Sequence, residues 1–426
     1  HDRVQQAAYS LIEQNIREIV HVNIANTMLE TLGTSGKEKR IFDIVNHFNE
    51  GKKVVVSSGQ KEVVARLNID AGKKAKSTTA YAPALQYFEA AFELLDDSCW
   101  QTQYQPTVEL YLMASEVAFL SKHYDQMELW IESFLKSVKT PLEKAKAYEI
   151  RLQAYTAQNR LSEAVDASLY ALSLLDIEMP KSPNDIQVLR KLFQTKKVLK
   201  GKTFENLFAL PPMKDQKILA AMNLLGLTIP PAYWTSQGLV ALTVFEMTQE
   251  SVKHGYSAIT GYGYSWWGIT ECSVLGNIDS GYEFGEFGVK LAKTHNLPLQ
   301  KPLFFFGWII KPFKHHISES IDVLLKAYEL SLEKGDFEYA SYSLNNYIQV
   351  LFHCGNNLGK LVPKMVKANR ELESFQVGSS IYWHNIWWQT ALNFSVETTC
   401  PTTLDGSAYK ESESVSQHLK VNDTST

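Results

Sequence analysis

The chain has 426 residues, of which 45% are hydrophobic and 12% aromatic, so it can bury a large core and is not a disordered segment. Its formal net charge of −4 gives no overall electrostatic reason to bind nucleic acid or an anionic membrane. Cys99, Cys272, Cys354 and Cys400 lie far apart, which argues against a disulfide framework or structural zinc and favours a cytoplasmic location. The apolar stretches are too short to cross a bilayer, so we expect no membrane insertion.

The first residues resemble an internal segment of a longer chain rather than its beginning. The run HDRVQQAAY lacks an initiator Met and already spaces its apolar residues helically, so we expect the chain to be part of a longer protein. Residues 1–32 predict one or two helices, followed by a polar loop over 33–40 and another helix over 41–49. Residues 63–87 predict a helical stretch that is interrupted near Gly72.

From about residue 80 the pattern becomes a series of helix pairs. Residues 104–120 and 124–138 predict one pair, and residues 142–157 and 161–175 predict the next. The spacing of about 37 residues between equivalent positions resembles the period of ~34 in tetratricopeptide repeats. Alanines placed seven residues apart, at 84 and 91 and at 164 and 171, favour close helix crossings. Turn sequences at 276–279 and 334–337 extend the array to about residue 395.

Prolines and glycines mark the joints and crossings of this array. Proline cannot continue a helix interior, so residues 179–183, 210–213 and 229–231 predict loops between repeats. A second set of small residues favours close packing between helices, with a ligand groove as the alternative: Gly255, Gly261, Gly263, Gly268, Gly281, Gly285 and Gly288. The change Gly281→Leu is therefore expected to destabilise the array.

Clustered tryptophans are the candidate binding residues. Trp266, Trp267, Trp383 and Trp387 predict either core packing or a surface for a partner. His315 and His316 lack converging ligands, so no metal site is predicted. The basic residues of segment 37–76 predict a solvated face or docking to an acidic neighbour. We identify no catalytic residues, because no Ser/His/Asp or Cys/His grouping is present.

Several blocks of the sequence resemble one family of signalling proteins. They occur in order along nearly the whole chain: residues 1–12 (HDRVQQAAYSLI), 41–49 (IFDIVNHFN), 67–76 (LNIDAGKKAK), 210–215 (LPPMKD), 281–285 (GYEFG) and 335–340 (GDFEYA). These blocks are similar to those of the large bacterial multidomain kinases. Such proteins join a serine/threonine kinase, a STAND-type AAA ATPase, helical repeats, a GAF domain and a sensor histidine kinase.

The resemblance implies an all-α fold in which a small helical, winged-helix-like ATPase tail precedes a tetratricopeptide-like helix-pair solenoid. Residues 1–70 would be the end of the ATPase module, residues 71–395 the repeats, and residues 396–426 a polar loop or an incomplete repeat. His1 matches a histidine that reaches the nucleotide phosphates in related ATPases. ATP and Mg²⁺ are implied for the parent protein, whereas we expect no cofactor in this chain.

Three functions remain open. The first is a regulatory or scaffolding segment of a signalling kinase, with a protein domain, a peptide or a small inducer bound in the repeat groove. The second is a stand-alone helical-repeat binding protein or, with less support, an all-α enzyme whose site lies in an aromatic-rich cavity around Trp266, Trp267, Trp308 and Trp383. The third is a structural adaptor without a ligand. In the first case the kinase and ATPase activities lie outside this chain.

Overall fold

The computed structural model describes residue 9 and residues 12–96, 98–375, 378–395 and 401–420. The regular secondary structure of these residues is helical, with two isolated bridges (Pro212 with Tyr256, and Asp405 with Lys410) and no β-strand. The predicted all-α, helical-repeat class is therefore confirmed. His1, the predicted nucleotide-phosphate sensor, lies outside the described residues.

The chain divides into two compact units, the first ending at Glu178 and the second beginning at Met179. The division coincides with the proline-marked joint predicted at residues 179–183. The first unit contains α1 Gln14–Thr31, α2 Thr34–Lys39, α3 Ile41–Glu50, α4 Ser58–Ser77, α5 Tyr81–Leu94, α6 Cys99–Thr102, α7 Tyr104–Leu120, α8 Tyr124–Ser137, α9 Pro141–Ala157 and α10 Leu161–Leu174. The family-based boundaries at residues 70 and 395 stay predictions.

The second unit contains α-helices together with short π and 3₁₀ segments. Its helices are α11 Asp185–Leu199, α12 Phe204–Phe208, α13 Gln216–Thr235, α14 Gln237–His254, α15 Thr260–Ile269, α16 Ile278–Thr294, α17 Gln300–Phe305, α18 Ile321–Glu333, α19 Phe337–His353, α20 Leu358–Phe375, α21 Gly378–Ser395 and α22 Glu411–Lys420. Two π segments, Thr270–Val274 and Phe306–Ile310, continue α15 and α17. The 3₁₀ segments of the chain are Lys52–Val54, Lys311–Phe313 and Ile317–Ser320.

The turns within the helix pairs share one backbone geometry. Thr79, Lys122 and Asn159 have φ angles of 59°, 62° and 57°, in the left-handed region. In each case the next residue donates its N–H to the carbonyl five positions back, for example His123 to Ala118 at 2.8 Å. This arrangement satisfies helix-end carbonyls and stops the helix. Gly335 (φ 68°) ends α18 in the same way, so the turn sequences seen along the chain are helix C-caps.

Close packing by small residues is confirmed at the crossing of α15 and α16. A Cβ atom at Gly261 would lie 2.8 Å from the carbonyl oxygen of Gly288, and one at Gly268 would lie 2.6 Å from that of Gly281. No side chain fits at these distances, so the two backbones touch. Gly255 differs from the prediction because it lies beyond α14, where a φ of 95° requires glycine.

Three local predictions are wrong. Residues 34–39 form the short helix α2 rather than a loop. Gly72 does not interrupt α4, since it makes room for the ring of Phe88 on α5. Pro230 and Pro231 lie inside α13, where burial of the neighbouring Ile229 and Ala232, and of Pro231 itself, outweighs the local cost of ~3 kcal/mol for proline in a helix.

Candidate functional site

The second unit contains a cavity of about 240 Å³ whose walls are mostly aromatic. They come from the end of α13, from α15, from α17 with its π segment, from the first half of α19, and from α21. We call it the aromatic cavity, and its lining residues are Ile229, Pro230, Tyr233, Trp234, Tyr262, Trp266, Phe304, Phe305, Trp308, Ile309, Glu338, Tyr339, Tyr342, Asn345, Asn346 and Trp383. The π segment contributes Trp308 and Ile309, and such segments often occur at functional sites.

The aromatic rings around the cavity form a closed circuit of contacts. The distances between ring centroids are 5.1 Å for Tyr233–Trp234, 6.5 Å for Trp234–Trp383, 5.8 Å for Trp383–Tyr342, 6.1 Å for Tyr342–Phe304, 4.9 Å for Phe304–Phe305, 4.9 Å for Phe305–Trp266 and 6.3 Å for Trp266–Tyr233. Each separation lies in the range of attractive ring pairs, so the circuit stiffens the walls. Tyr233 and Trp234 are 44% and 45% exposed and form the rim.

Glu338 is the charged residue of the cavity lining. It lies in the first turn of α19, and the Tyr342 hydroxyl donates a hydrogen bond of 3.1 Å to its Oε1. Desolvation by the surrounding protein raises the pKa of Glu338, while the charge of Lys301 lowers it and that of Asp336 raises it. The carboxyl group is therefore held where its ionised form is poorly compensated.

Two buried phenols stand beside this carboxyl group. Tyr262 and Tyr339 are 4% and 3% exposed, and burial raises the pKa of both well above that of a free tyrosine, so they remain neutral. The Lys301 ammonium lies 4.5 Å from the centroid of the Tyr339 ring and 5.7 Å from that of Tyr262. Lys301 thus holds its charge over these rings and does not line the cavity.

Asn345 gives the cavity an unsatisfied polar group. Its side chain is 1% exposed, and neither Nδ2 nor Oδ1 has a hydrogen-bond partner among the described residues. A buried donor or acceptor without a partner costs about 1–3 kcal/mol. Asn345 therefore keeps two unsatisfied polar atoms buried in the wall of the cavity.

The first unit has a wider groove with a different character. Its lining includes Glu109 and Glu116. Lys73 Nζ lies 2.6 Å from Glu109 Oε1, and Lys76 Nζ lies 2.5 Å from Glu116 Oε2. The charges of Glu109 and Glu116 are therefore already paired within the protein.

The structure separates the four predicted tryptophans. Trp266 and Trp383 line the aromatic cavity, as does Trp308. Trp267 is fully buried on another face, with its centroid 5.7 Å from that of Phe245. Trp387 packs on Phe352 at 5.5 Å. The role of all four in partner binding stays a prediction.

Sequence reasoning missed the polar residues of the cavity. Glu338, Tyr342 and Asn345 follow one another at positions i, i+4 and i+7 of α19, which places them on one helical face. That spacing was visible in the sequence and could have identified them. The absence of a catalytic residue and of a metal site stays a prediction. Among the described residues no group of three or more His, Cys, Asp or Glu side chains is placed to hold a metal ion.

Comparisons with known proteins show a similarity between this chain and a signalling protein. No family model matches it. A relative from Dictyostelium discoideum, hybrid signal transduction histidine kinase G, is 22% identical over 402 residues, which cover 82% of this chain and 12% of that protein. The chain is thus similar to a small part of a signalling kinase. Within the described residues, no helix is both long enough and apolar enough to cross a membrane.

Proposed function

We propose that this chain is a regulatory helical-repeat segment of a larger signalling kinase, and that the aromatic cavity is its ligand site. Binding there would be relayed to catalytic modules outside the chain. The observation that carries the proposal is the similarity to a histidine kinase over 82% of the chain, in a region that makes up 12% of that relative. A helical repeat array supports it further, because such arrays bind ligands and partners on extended surfaces.

The same proposal includes the domain boundaries, the nucleotide contact and the partners of the segment. Residues 1–70 would end a STAND-type AAA ATPase module, and residues 71–395 would be tetratricopeptide-like repeats. His1 would then reach the phosphates of ATP, bound with Mg²⁺ in the parent protein. A protein domain or peptide in the repeat groove would be a second partner. We propose a cytoplasmic protein that binds no nucleic acid.

A free-standing binding protein is the second candidate. It is favoured by the composition of the aromatic cavity, whose lining runs only from Ile229 to Trp383 and therefore needs no other module. An enzyme is less well supported, because the lining formed by the described residues holds the single carboxyl group of Glu338 and offers no acid–base pair.

The reading frame that encodes the chain gives the first test. A phosphate-binding loop upstream and a histidine kinase module downstream would support the signalling proposal, whereas a frame that closes near residues 1 and 426 would favour the free-standing binding protein.

The second test is the kinase output of the full-length protein, measured as acid-labile phosphohistidine formed from radiolabelled ATP. We expect Trp383→Leu, in the cavity wall, to change this output. Trp387→Leu is the matched control, since Trp387 lies one turn later on α21 and outside the cavity. Equal outputs from the two variants and the wild type would contradict the relay.

A further inference from the structure

We propose that the aromatic cavity binds a small organic cation, with its ammonium group inside the ring circuit beside Glu338. This inference rests on the proposed role of the cavity as the ligand site of the segment. It adds the chemical class of the ligand, which neither the similarity to a kinase nor the fold provides.

The charge of the ligand follows from the lining. Of the described residues that line the cavity, Glu338 is the charged one, and Lys, Arg and His are absent from that lining. The faces of Trp and Tyr rings carry negative electrostatic potential and attract cations, most strongly where water is excluded. An anion would meet both the carboxylate and the ring faces, so the cavity disfavours it.

A purely apolar occupant also fits poorly. It would leave the Glu338 carboxylate with no cation beyond Lys301 in a site that it has dried. A carboxylate that loses its contact with water in this way costs free energy. A ligand that carries a cationic head would instead bring the charge opposite to that of Glu338.

The protein's own cation does not fill this role. Lys301 holds its ammonium over the ring of Tyr339, at 4.5 Å from the centroid, and is not part of the cavity lining. Its charge weakens the field of Glu338 without cancelling the burial effect on that carboxyl group. The space between the rings therefore remains available to a second cation.

The size of the cavity limits the ligand to a small molecule. A volume of about 240 Å³ is below the ~300–1,000 Å³ typical of sites for drug-sized ligands. The rim residues Tyr233 and Trp234 are nearly half exposed, which gives a small ligand a route into the ring circuit. A small alkylated ammonium compound matches these dimensions.

Isothermal titration calorimetry of the full chain with choline tests the proposal. The comparison ligand is 3,3-dimethylbutan-1-ol, which has the shape of choline without its charge. We expect choline to bind at least roughly tenfold more tightly, since desolvated cation–π and ion-pair contacts exceed the ~1.4 kcal/mol that a factor of ten requires. Equal affinity for the two compounds, or no binding of choline at millimolar concentration, would overturn the proposal.

Two variants locate the binding site. Glu338→Gln preserves the shape of the side chain and removes the burial cost of a charge, so it should fold normally and bind choline roughly tenfold more weakly. Trp383→Leu should also weaken binding, whereas Trp387→Leu should retain it. If both tryptophan variants bind choline as the wild type does, the site is not the aromatic cavity.

A peptide containing trimethyllysine separates a free ligand from a partner's side chain. Tighter binding of the peptide than of choline would overturn the small-molecule assignment.

The kinase assay distinguishes this inference from the proposed function. If choline binds but does not change the kinase output, the relay is refuted and the cation site stands. If Trp383→Leu changes the kinase output but choline does not bind, the cation site is refuted and the relay stands.

Discussion

Adding one methyl group at Gly281 is expected to force α16 away from α15. A Cβ atom at this position would lie 2.6 Å from the carbonyl oxygen of Gly268 and would overlap Sγ of Cys272. The backbone oxygen cannot move aside independently of its helix. Reaching an ordinary contact of 3.4 Å requires a shift of about 0.8 Å between the two helices. The change Gly281→Ala therefore tests the contact more sharply than the larger Gly281→Leu.

The size of the effect follows from two opposing contributions. Overpacking a well-packed contact costs about 1–3 kcal/mol. Alanine returns up to ~1 kcal/mol because it favours helix more than glycine does. We expect a net loss of about 1–2 kcal/mol in the free energy of unfolding, and more for leucine. For a unit of this size that loss lowers the melting temperature by about 2–8 °C.

Intrinsic tryptophan fluorescence during thermal and urea unfolding gives the measurement, because most of the chain's tryptophans lie after residue 179. Gly263→Ala is the matched control. Gly263 lies on the same helix as Gly268, but its nearest neighbour is the flexible terminal methyl group of Met247, at 3.2 Å. We expect this control to change stability little. If Gly281→Ala melts at the same temperature as Gly263→Ala, the backbone contact does not hold these helices together.

Three further effects are expected. Burial and then the charge of His21 lower the pKa of His47. The neutral form of His47 therefore contributes stability above pH 6.5, and this stability should be lost as the pH falls through the lowered pKa. Thermal melts from pH 7.5 to 5 should show a smaller loss of stability in His47→Asn than in the wild type. Thr140→Ala removes the capping box with Glu143 and should cost about 1 kcal/mol in urea unfolding, whereas Thr140→Ser should not. The isolated chain should not hydrolyse ATP, and turnover by a contaminant-free preparation in a phosphate-release assay would contradict this.

Choline affinity should itself depend on pH. Glu338 has a raised pKa, so its carboxyl group protonates before an exposed glutamate would as the pH falls, and a cation then loses its partner. Lys301, Asp336 and Tyr342 act on the same carboxyl group, and burial raises the pKa of Tyr342, so its hydroxyl stays neutral as the pH falls. Calorimetry between pH 8 and 5 should show affinity falling with pH in the wild type and a flatter profile in Glu338→Gln.

The helical architecture was predictable because its signals are local. Helix C-caps at Lys122 and Asn159 and the small residues of α15 and α16 act within a few residues or through one repeating period. The failures arose where a distant contact decided the outcome. Gly72 is tolerated in α4 because Phe88 fills the space beside it, and Pro231 is tolerated in α13 because it is buried. A single sequence contains the residues of such contacts but not their pairing.

The aromatic cavity shows how the same limit applies to function. Trp266 and Trp267 are neighbours in sequence, yet one step along a helix turns a side chain by about 100°, so one lines the cavity and the other lies in the core. Tyr262 lies four residues before Trp266 and shares its face. The direction in which a side chain leaves its helix therefore distinguishes cavity-lining residues from core residues better than the number of aromatic residues does. The same criterion selects Glu338 and Asn345 on α19, because both lie in phase with the aromatic residues of that helix that line the cavity.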